Sequence, residues 1–340
     1  MKPNHILPTL GLAVGLASPA IAGCFPPTEP VVTLDFGSRY VAEDASRATI
    51  DDESNAAVNA ALAPVDDFIR DLAFAANTVT RHGAPEAALA DCVVARIAAW
   101  AWADALSDLG SLTAQLSVGG RLAGIAEAYR QVRPFAEINH RTAAIERWLE
   151  KRSAEQIDFW EKDATHGARR GNLRAWASLA IFQVADLTGD DAARLWAFAS
   201  AARILCSARE DGSLPQETGR GKWGLHYQFH AIAPLVTLAA RAAPTDPALM
   251  TICNGALPRA VTYALDDYAN GGLRTAEYSG QVQTYFDGTQ NLEPHAIAWV
   301  PAYLTLTSSD AASALAAKTE TLANSKLGGD QRLLWQGTQP

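Results

Sequence analysis

Arg220-Gly-Lys-Trp-Gly-Leu-His-Tyr-Gln-Phe-His230 sets Trp223, His226, Tyr227 and His230 at i, i+3, i+4 and i+7, the spacing that puts four side chains on one helix face. An ordinary core stripe would carry Leu, Ile or Val there. Two imidazoles, a phenol and an indole, with Arg220 and Lys222 at the entrance, predict instead the wall of a wet groove that takes something anionic. The helix is expected to reach about Ala243 with Pro234 inside it, which frees the His230 carbonyl and predicts a kink.

The same period recurs on both sides of this stretch. Val58, Leu62, Val65, Ile69 and Leu72 keep it within 51–72, and Val93, Ile97, Trp100 and Leu106 within 92–109. A helix over 117–132 is closed by Pro134, with Gly119-Gly120 loosening its start so that it begins near Arg121. Ile145, Trp148, Leu149, Ile157 and Trp160 mark another over 138–160, and Leu173, Trp176, Ala180 and Val184 one over 172–187. Further helices are expected over 191–209, 253–268 and 293–306, with a turn at Glu210-Asp-Gly-Ser-Leu-Pro215, a long loop over 271–293 and a polar tail from Lys326-Leu-Gly-Gly-Asp330. Val31 to Phe36 reads as a short strand or plain extended chain. Alternating β-branched runs are scarce and no stretch has a linker's composition, so the expectation is an all-α fold of helical hairpins packed around one core, a single domain over 23–340.

The 340 residues are 49% hydrophobic, enough for a sizeable core, and the formal charge of −9 argues against nucleic acid as a general partner. The N-terminus reads as an export signal over 1–22: Lys2 and His5, the apolar run Leu10 to Leu16, and Ala20-Ile-Ala22 before Gly23-Cys24. That run is too short to span a bilayer, so a periplasmic or secreted chain is expected. Ile21-Ala-Gly-Cys24 also allows a lipoprotein with Cys24 lipidated. The four cysteines, Cys24, Cys92, Cys206 and Cys253, permit three pairings, and with no C-x-x-C pair a cysteine zinc site is not expected. His226-x-x-x-His230 has metal spacing, but no Glu follows His226 and no third ligand is evident, so neither metal nor other cofactor is implied. Glu277, Asp287 and Glu293 offer a minor reading as a glycoside-hydrolase carboxylate pair. Trp176, Trp223, Tyr278, Tyr285 and Trp299 could stack on sugar rings or simply be packed.

A series of landmarks in order resembles the alginate (poly-mannuronate) lyase family of bacterial periplasmic enzymes, polysaccharide lyase family 5. They are the Cys24 proline-rich arm, Leu34-Asp-Phe-x-Ser-Arg-Tyr40, Ser46-Arg-Ala-Thr49, Cys92 before a Trp-containing helix, and Gly119 to Tyr129. Asn172-x-x-x-Trp176, Asp211-Gly-x-Leu-Pro215-x-Glu217, Leu225-x-Tyr227 before Pro234-Leu235, Trp299 to Tyr303 and Leu327-Gly-Gly329 follow. The resemblance implies an incomplete α/α toroid with a deep cationic groove in which a uronate polymer is cut by β-elimination. It implies a Cys24–Cys92 bridge, leaving Cys206 and Cys253 as a second bridge or two buried thiols. Such an enzyme neutralises the uronate carboxylate, removes the C5 proton with a base and protonates the leaving O4 with an acid.

The family's catalytic set is an Asn-His pair followed by an Arg and a Tyr. Here Asn172 falls on the Asn, but Leu173 stands for the His, Trp223 for the Arg and His230 for the Tyr. Tyr227 falls on a second family tyrosine, and Arg39-Tyr40 on the segment expected to close over bound sugar. Arg174, with Arg169 and Arg170, is expected to restore positive charge near a helix N-terminus. The reading is then a lyase for a uronate polymer other than ordinary alginate, with His226 or His230 as base and Tyr227 or the other His as acid. Arg39, Tyr40, Arg174, Trp176, Arg220, Lys222 and Trp223 would hold substrate. The alternative is an inactive polysaccharide-binding or export-accessory protein on the same scaffold. Either way the expected partner is an anionic, uronate-containing polysaccharide, with no nucleic acid and no membrane span, bound by a monomer.

Overall fold

The structure, a computed structural model, describes residues 24–44, 46–81 and 85–336; the expected leader lies outside them. Its long helices are Asp52–Arg81, Ala87–Trp102, Gly119–Val132, His140–Lys162, Asn172–Thr188, Asp191–Leu205, Gly224–Ala242 and Ile252–Ala269. From Ala87 onward they alternate between two layers. Asn172–Thr188 packs on both Gly119–Val132 and Gly224–Ala242, and all three are buried nearly all round. The other four cover them from outside, each hairpin pairing an outer helix with an inner one. A helix enclosed on nearly every side must be apolar on nearly every side, which is why Asn172–Thr188 is largely Ala, Leu, Ile, Val and aromatics with little amphipathic contrast; Gly224–Ala242 reads this way only beyond His230. Trp100, Trp148 and Trp160 are buried, and Trp100 stacks on Phe68 with ring centroids 4.0 Å apart.

Gly119-Gly120 does not loosen a helix start: the helix begins at Gly119, and a β-carbon there would lie 2.8 Å from the Ala177 backbone. The glycine lets two inner helices touch. The 92–109 helix stops at Trp102, because Asp104 and Leu106 take left-handed backbone conformations and Asp108–Leu109 pairs in parallel with Thr33–Leu34. The 191–209 helix ends at Leu205. The expected loop over 271–293 contains the helix Leu273–Ser279, and the 293–306 helix is only the 3-10 turn Pro294–Ala296 and Val300–Leu304. Among the described residues no helix is long and apolar enough to cross a membrane.

Cys24 is bonded to Cys92 and Cys206 to Cys253. The second pair is therefore a bridge, and both belong to the chemistry of an oxidising compartment. With its sulfur in a disulfide, Cys24 has no thiol to lipidate.

The C-terminal stretch is not a polar tail. Leu327, Gly328 and Gly329 are buried, held by Asn77 and Gln131, whose side-chain amides donate to the Gly328 carbonyl at 2.9 and 3.0 Å. Gly328 has φ +95°, and a β-carbon there would lie 2.2 Å from Cγ of Glu127. Glu127 is itself fully buried, ion-paired to Arg130 and Arg241.

Candidate active site

The 220–230 stretch forms the 3-10 turn Gly221–Trp223 and then the first turns of the Gly224–Ala242 helix. Its polar face is assembled as the spacing requires. Ring centroids lie 5.4 Å apart for Trp223–His226, 5.2 Å for His226–Tyr227, 6.3 Å for Tyr227–His230 and 6.3 Å for the stacked pair His226–His230. Trp176 reaches this face from the neighbouring inner helix, its indole N–H donating to Nδ1 of His230 at 3.2 Å. An indole N–H can only donate, so Nδ1 accepts and the neutral ring carries its proton on Nε2. His226 Nδ1 lies 3.4 Å from the Tyr285 hydroxyl and 3.3 Å from the Gln290 amide nitrogen. Burial holds both imidazoles below the usual histidine range. His226 is brought down to about 4, with His295 and Arg220 adding to the effect. His230 falls well below 6.5, helped by His226 and Lys326. Both rings are neutral at neutral pH.

Residues 38–44 and 46–50 close over this face. Asp44 organises the segment by accepting the backbone N–H groups of Ser46, Ala48 and Thr49 at 2.7 to 2.9 Å. The Tyr40 hydroxyl is hydrogen-bonded to the Tyr227 hydroxyl. Between the two phenols lies Arg220, its guanidinium carbon 4.1 Å from the Tyr227 ring centroid and 5.5 Å from that of Tyr40. Arg220 also donates to the carbonyls of Ser46 and Arg47 at 3.0 and 3.1 Å, and Trp223 Nε1–H to the Ala48 carbonyl at 2.9 Å. Arg220 and Trp223 are thus committed to the closing segment. Arg39 is tied to the first long helix, donating to Asn55 at 2.9 Å, and the Lys222 ammonium lies 5.9 Å from the Trp223 ring centroid.

Asn172 opens its helix behind Gly171, which has no side chain to cap the free N–H groups. Glu217 supplies the cap from the Pro215–Thr218 turn. Its Oε1 accepts the Asn172 backbone N–H at 2.6 Å and its Oε2 accepts from Asn172 Nδ2 at 2.8 Å. Burial pushes the Glu217 carboxyl up to about 7, against the opposing pull of the Asn172 hydrogen bond and Arg220.

Leu173 packs beside Phe159, Trp160 and Ala177. Arg174 does not face the site. It is 1% exposed, donates to Ser200 Oγ at 3.0 Å, pairs with Glu161 and lies 4.9 Å from the Trp196 ring centroid. Two residues past Asn172 is roughly 200° round a helix, so its charge is spent on the outer layer. Arg169 is half-buried and Arg170 exposed in the turn before it. Trp299 is fully buried and donates to Ala296, a core role rather than a sugar platform. Glu277, Asp287 and Glu293 are exposed.

Lys326 enters the site unannounced by helical spacing. The buried Leu327-Gly-Gly329 turn delivers it, and its stem passes the Gly120 position beside the Trp176 ring. Its ammonium has no hydrogen-bond or ion-pair partner among the described residues, and burial, reinforced by Arg121, brings its pKa down to about 8. Only the Gly-Gly pair in the sequence hinted at a turn tight enough to bring a tail lysine here. Among the described residues no cluster of His, Cys, Asp and Glu could hold a metal ion.

A family model described as alginate lyase matches residues 37–272. A polysaccharide lyase of Stenotrophomonas maltophilia is 31% identical over 247 residues, covering 69% of this chain and 68% of the relative. An alginate lyase of Pseudomonas syringae pv. tomato is 26% identical over 283 residues, covering 80% of this chain and 72% of the relative. Among solved structures, alginate lyase A1-III in complex with a tetrasaccharide superposes with a TM-score of 0.78 at 19% identity, over 96% of this chain and 89% of that one. The A1-III enzyme of Sphingomonas species A1 gives 0.74 at the same identity, over 94% and 88%. The shared architecture is the α/α toroid, and the chain belongs to the alginate lyase family.

Proposed function

We propose that this chain is an exported, periplasmic polysaccharide lyase that cleaves a uronate-containing polymer other than ordinary alginate by β-elimination. The observation that carries the reading is the neutral imidazole pair on one helix face, with the tautomer of one ring fixed by Trp176. Because His230 must accept at Nδ1, its Nε2–H is a donor and suits the acid that protonates O4. The Gln290 amide nitrogen can only donate to His226 Nδ1, so His226 acts as base once that amide turns its oxygen to the ring: Nδ1–H is then given to Gln290 or to the Tyr285 hydroxyl, and the Nε2 lone pair is free. His226 takes the C5 proton, the electron pair passes into the uronate carboxylate, and its return expels O4 as the His230 proton arrives. The Lys326 ammonium offsets the charge on that carboxylate, the task the family gives to an Arg where this chain has Trp223, and Asn172 adds to it only when its Nδ2 is released from Glu217. Tyr40, Tyr227 and Arg220 close over the sugar, and Trp176 borders it.

The test is the absorbance of newly formed unsaturated uronate ends against a panel of uronate polymers. Release from one polymer is expected, and silence on all of them overturns the reading. Leu173, which can neither take nor give a proton, favours a second reading as a polysaccharide-binding protein without turnover. Tight binding to one polymer with no absorbance change would establish that instead.

A further inference from the structure

The Asn172 side chain is 4% exposed, and while its Nδ2 is held by Glu217 its Oδ1 has no partner among the described residues. An unpaired buried carbonyl oxygen costs about 1–3 kcal/mol, so something is expected to use that end of the amide. We propose that Glu217 is a positioning residue: its carboxyl decides which end of the Asn172 amide is left free for a bound sugar, an acceptor when the carboxyl is ionised and a donor when it is protonated.

The geometry allows both states without moving the backbone. An ionised Glu217 accepts twice, from the Asn172 backbone N–H and from Nδ2, and leaves Oδ1 over. A protonated Glu217 still accepts the backbone N–H at Oε1, but its Oε2–H becomes a donor. The amide then turns over, Oδ1 accepts from Oε2–H, and Nδ2 becomes the free end. A donor suits a uronate carboxylate; an acceptor suits a hydroxyl and repels a carboxylate. The groups facing Glu217 are Arg220 on its own connection and Tyr227 on the Gly224–Ala242 helix, besides Asn172 itself. Neither competes for the two carboxyl oxygens in hydrogen bonds. Gly171 leaves the room this needs, since a β-carbon there would lie 3.1 Å from Oε1. Full burial keeps water from offering Glu217 an alternative partner, and places its titration near neutral pH.

The coupling to substrate rests on the uronate reading above, so the experiment has two arms. In protein labelled at Asn side chains, the Asn172 amide NMR signals are followed from about pH 5 to about pH 9 without ligand. They are expected to shift with a midpoint near 7 in the wild type and to stay fixed in Glu217→Gln. The amide that this substitution introduces donates its N–H to Oδ1 at every pH and locks the Asn172 donor outward. In the second arm, calorimetric affinity for a uronate tetrasaccharide is expected to fall about tenfold more between about pH 6 and about pH 8 in the wild type than in Glu217→Gln, whose remaining dependence is that of Lys326, brought down to about 8. Wild-type amide signals that do not titrate, or a Glu217→Gln affinity that keeps the wild-type pH dependence, overturn the proposal. Titrating signals with no binding of any uronate would support the switch while removing the lyase reading. The wild-type NMR arm decides the matter even where the variant does not fold.

Discussion

His226 should make this protein acid-sensitive in a way that a single substitution removes. Its ring has an ordinary value of 6.5 when unfolded and about 4 when folded, depressed by burial and then by His295 and Arg220. Between those values the unfolded chain binds a proton that the folded one refuses, so stability is fully present above about pH 6.5 and is lost as the pH falls towards about 4. At about 1.4 kcal/mol per pKa unit the shift corresponds to up to about 3 kcal/mol. The ring is only half-buried, so solvent reduces this, and about 2 kcal/mol is expected. His226→Gln keeps a polar group beside Tyr285 and Gln290 without the titration. Urea unfolding of both proteins across this range should give curves that converge on acidification, the wild type losing its part of the difference. Parallel curves would refute the claim that His226 is held neutral in the folded state. The same shift predicts an acid limb of kcat/KM well below the ordinary histidine range if His226 is the base.

Other substitutions test the remaining parts. His230→Ala and Asn172→Ala should each abolish turnover while circular dichroism and oligosaccharide-free folding stay intact; full activity in both would place the site elsewhere. Asn172→Ala should also cost about 1 kcal/mol, since Glu217 keeps only the backbone N–H. Replacing Cys206 and Cys253 with Ala opens a link 47 residues long and should lower unfolding free energy by up to about 4 kcal/mol, with no further loss on adding reductant if the first bridge resists it. Gly328→Ala combines a left-handed backbone with a clash against the buried Glu127, and should cost more than about 2 kcal/mol. By displacing Lys326 it should also raise KM for an anionic polymer. A stable variant with unchanged KM would show that the turn does not position the lysine.

The helices were legible because each inner or outer one repeats apolar residues over several turns. Asn172–Thr188 and Gly224–Ala242 begin within a few residues of where spacing puts them. The His226, Tyr227 and His230 face was legible for the same reason: a local period brings together residues three and four apart. What spacing cannot show is contact between distant segments. Glu217 lies 45 residues from the Asn172 it clamps, and Lys326 reaches Trp176 only through a turn of positive-φ glycines. Arg174 misled for a related reason, since closeness in sequence to Asn172 put it on the opposite side of the helix. The short helices near the C-terminus escaped because pieces of five or seven residues carry too little period to read.

The Arg220 guanidinium between Tyr40 and Tyr227 has a consequence for how such an enzyme could evolve. On the proposed mechanism Tyr227 belongs at once to the face where the chemistry runs and to the latch that holds residues 38–44 and 46–50 down. A substitution there changes the speed of chemistry and the speed of product escape together, so neither can be tuned alone. Adaptation to a new polymer is therefore expected to run through residues that serve one task only, such as Leu173 or Lys326, while the latch stays fixed.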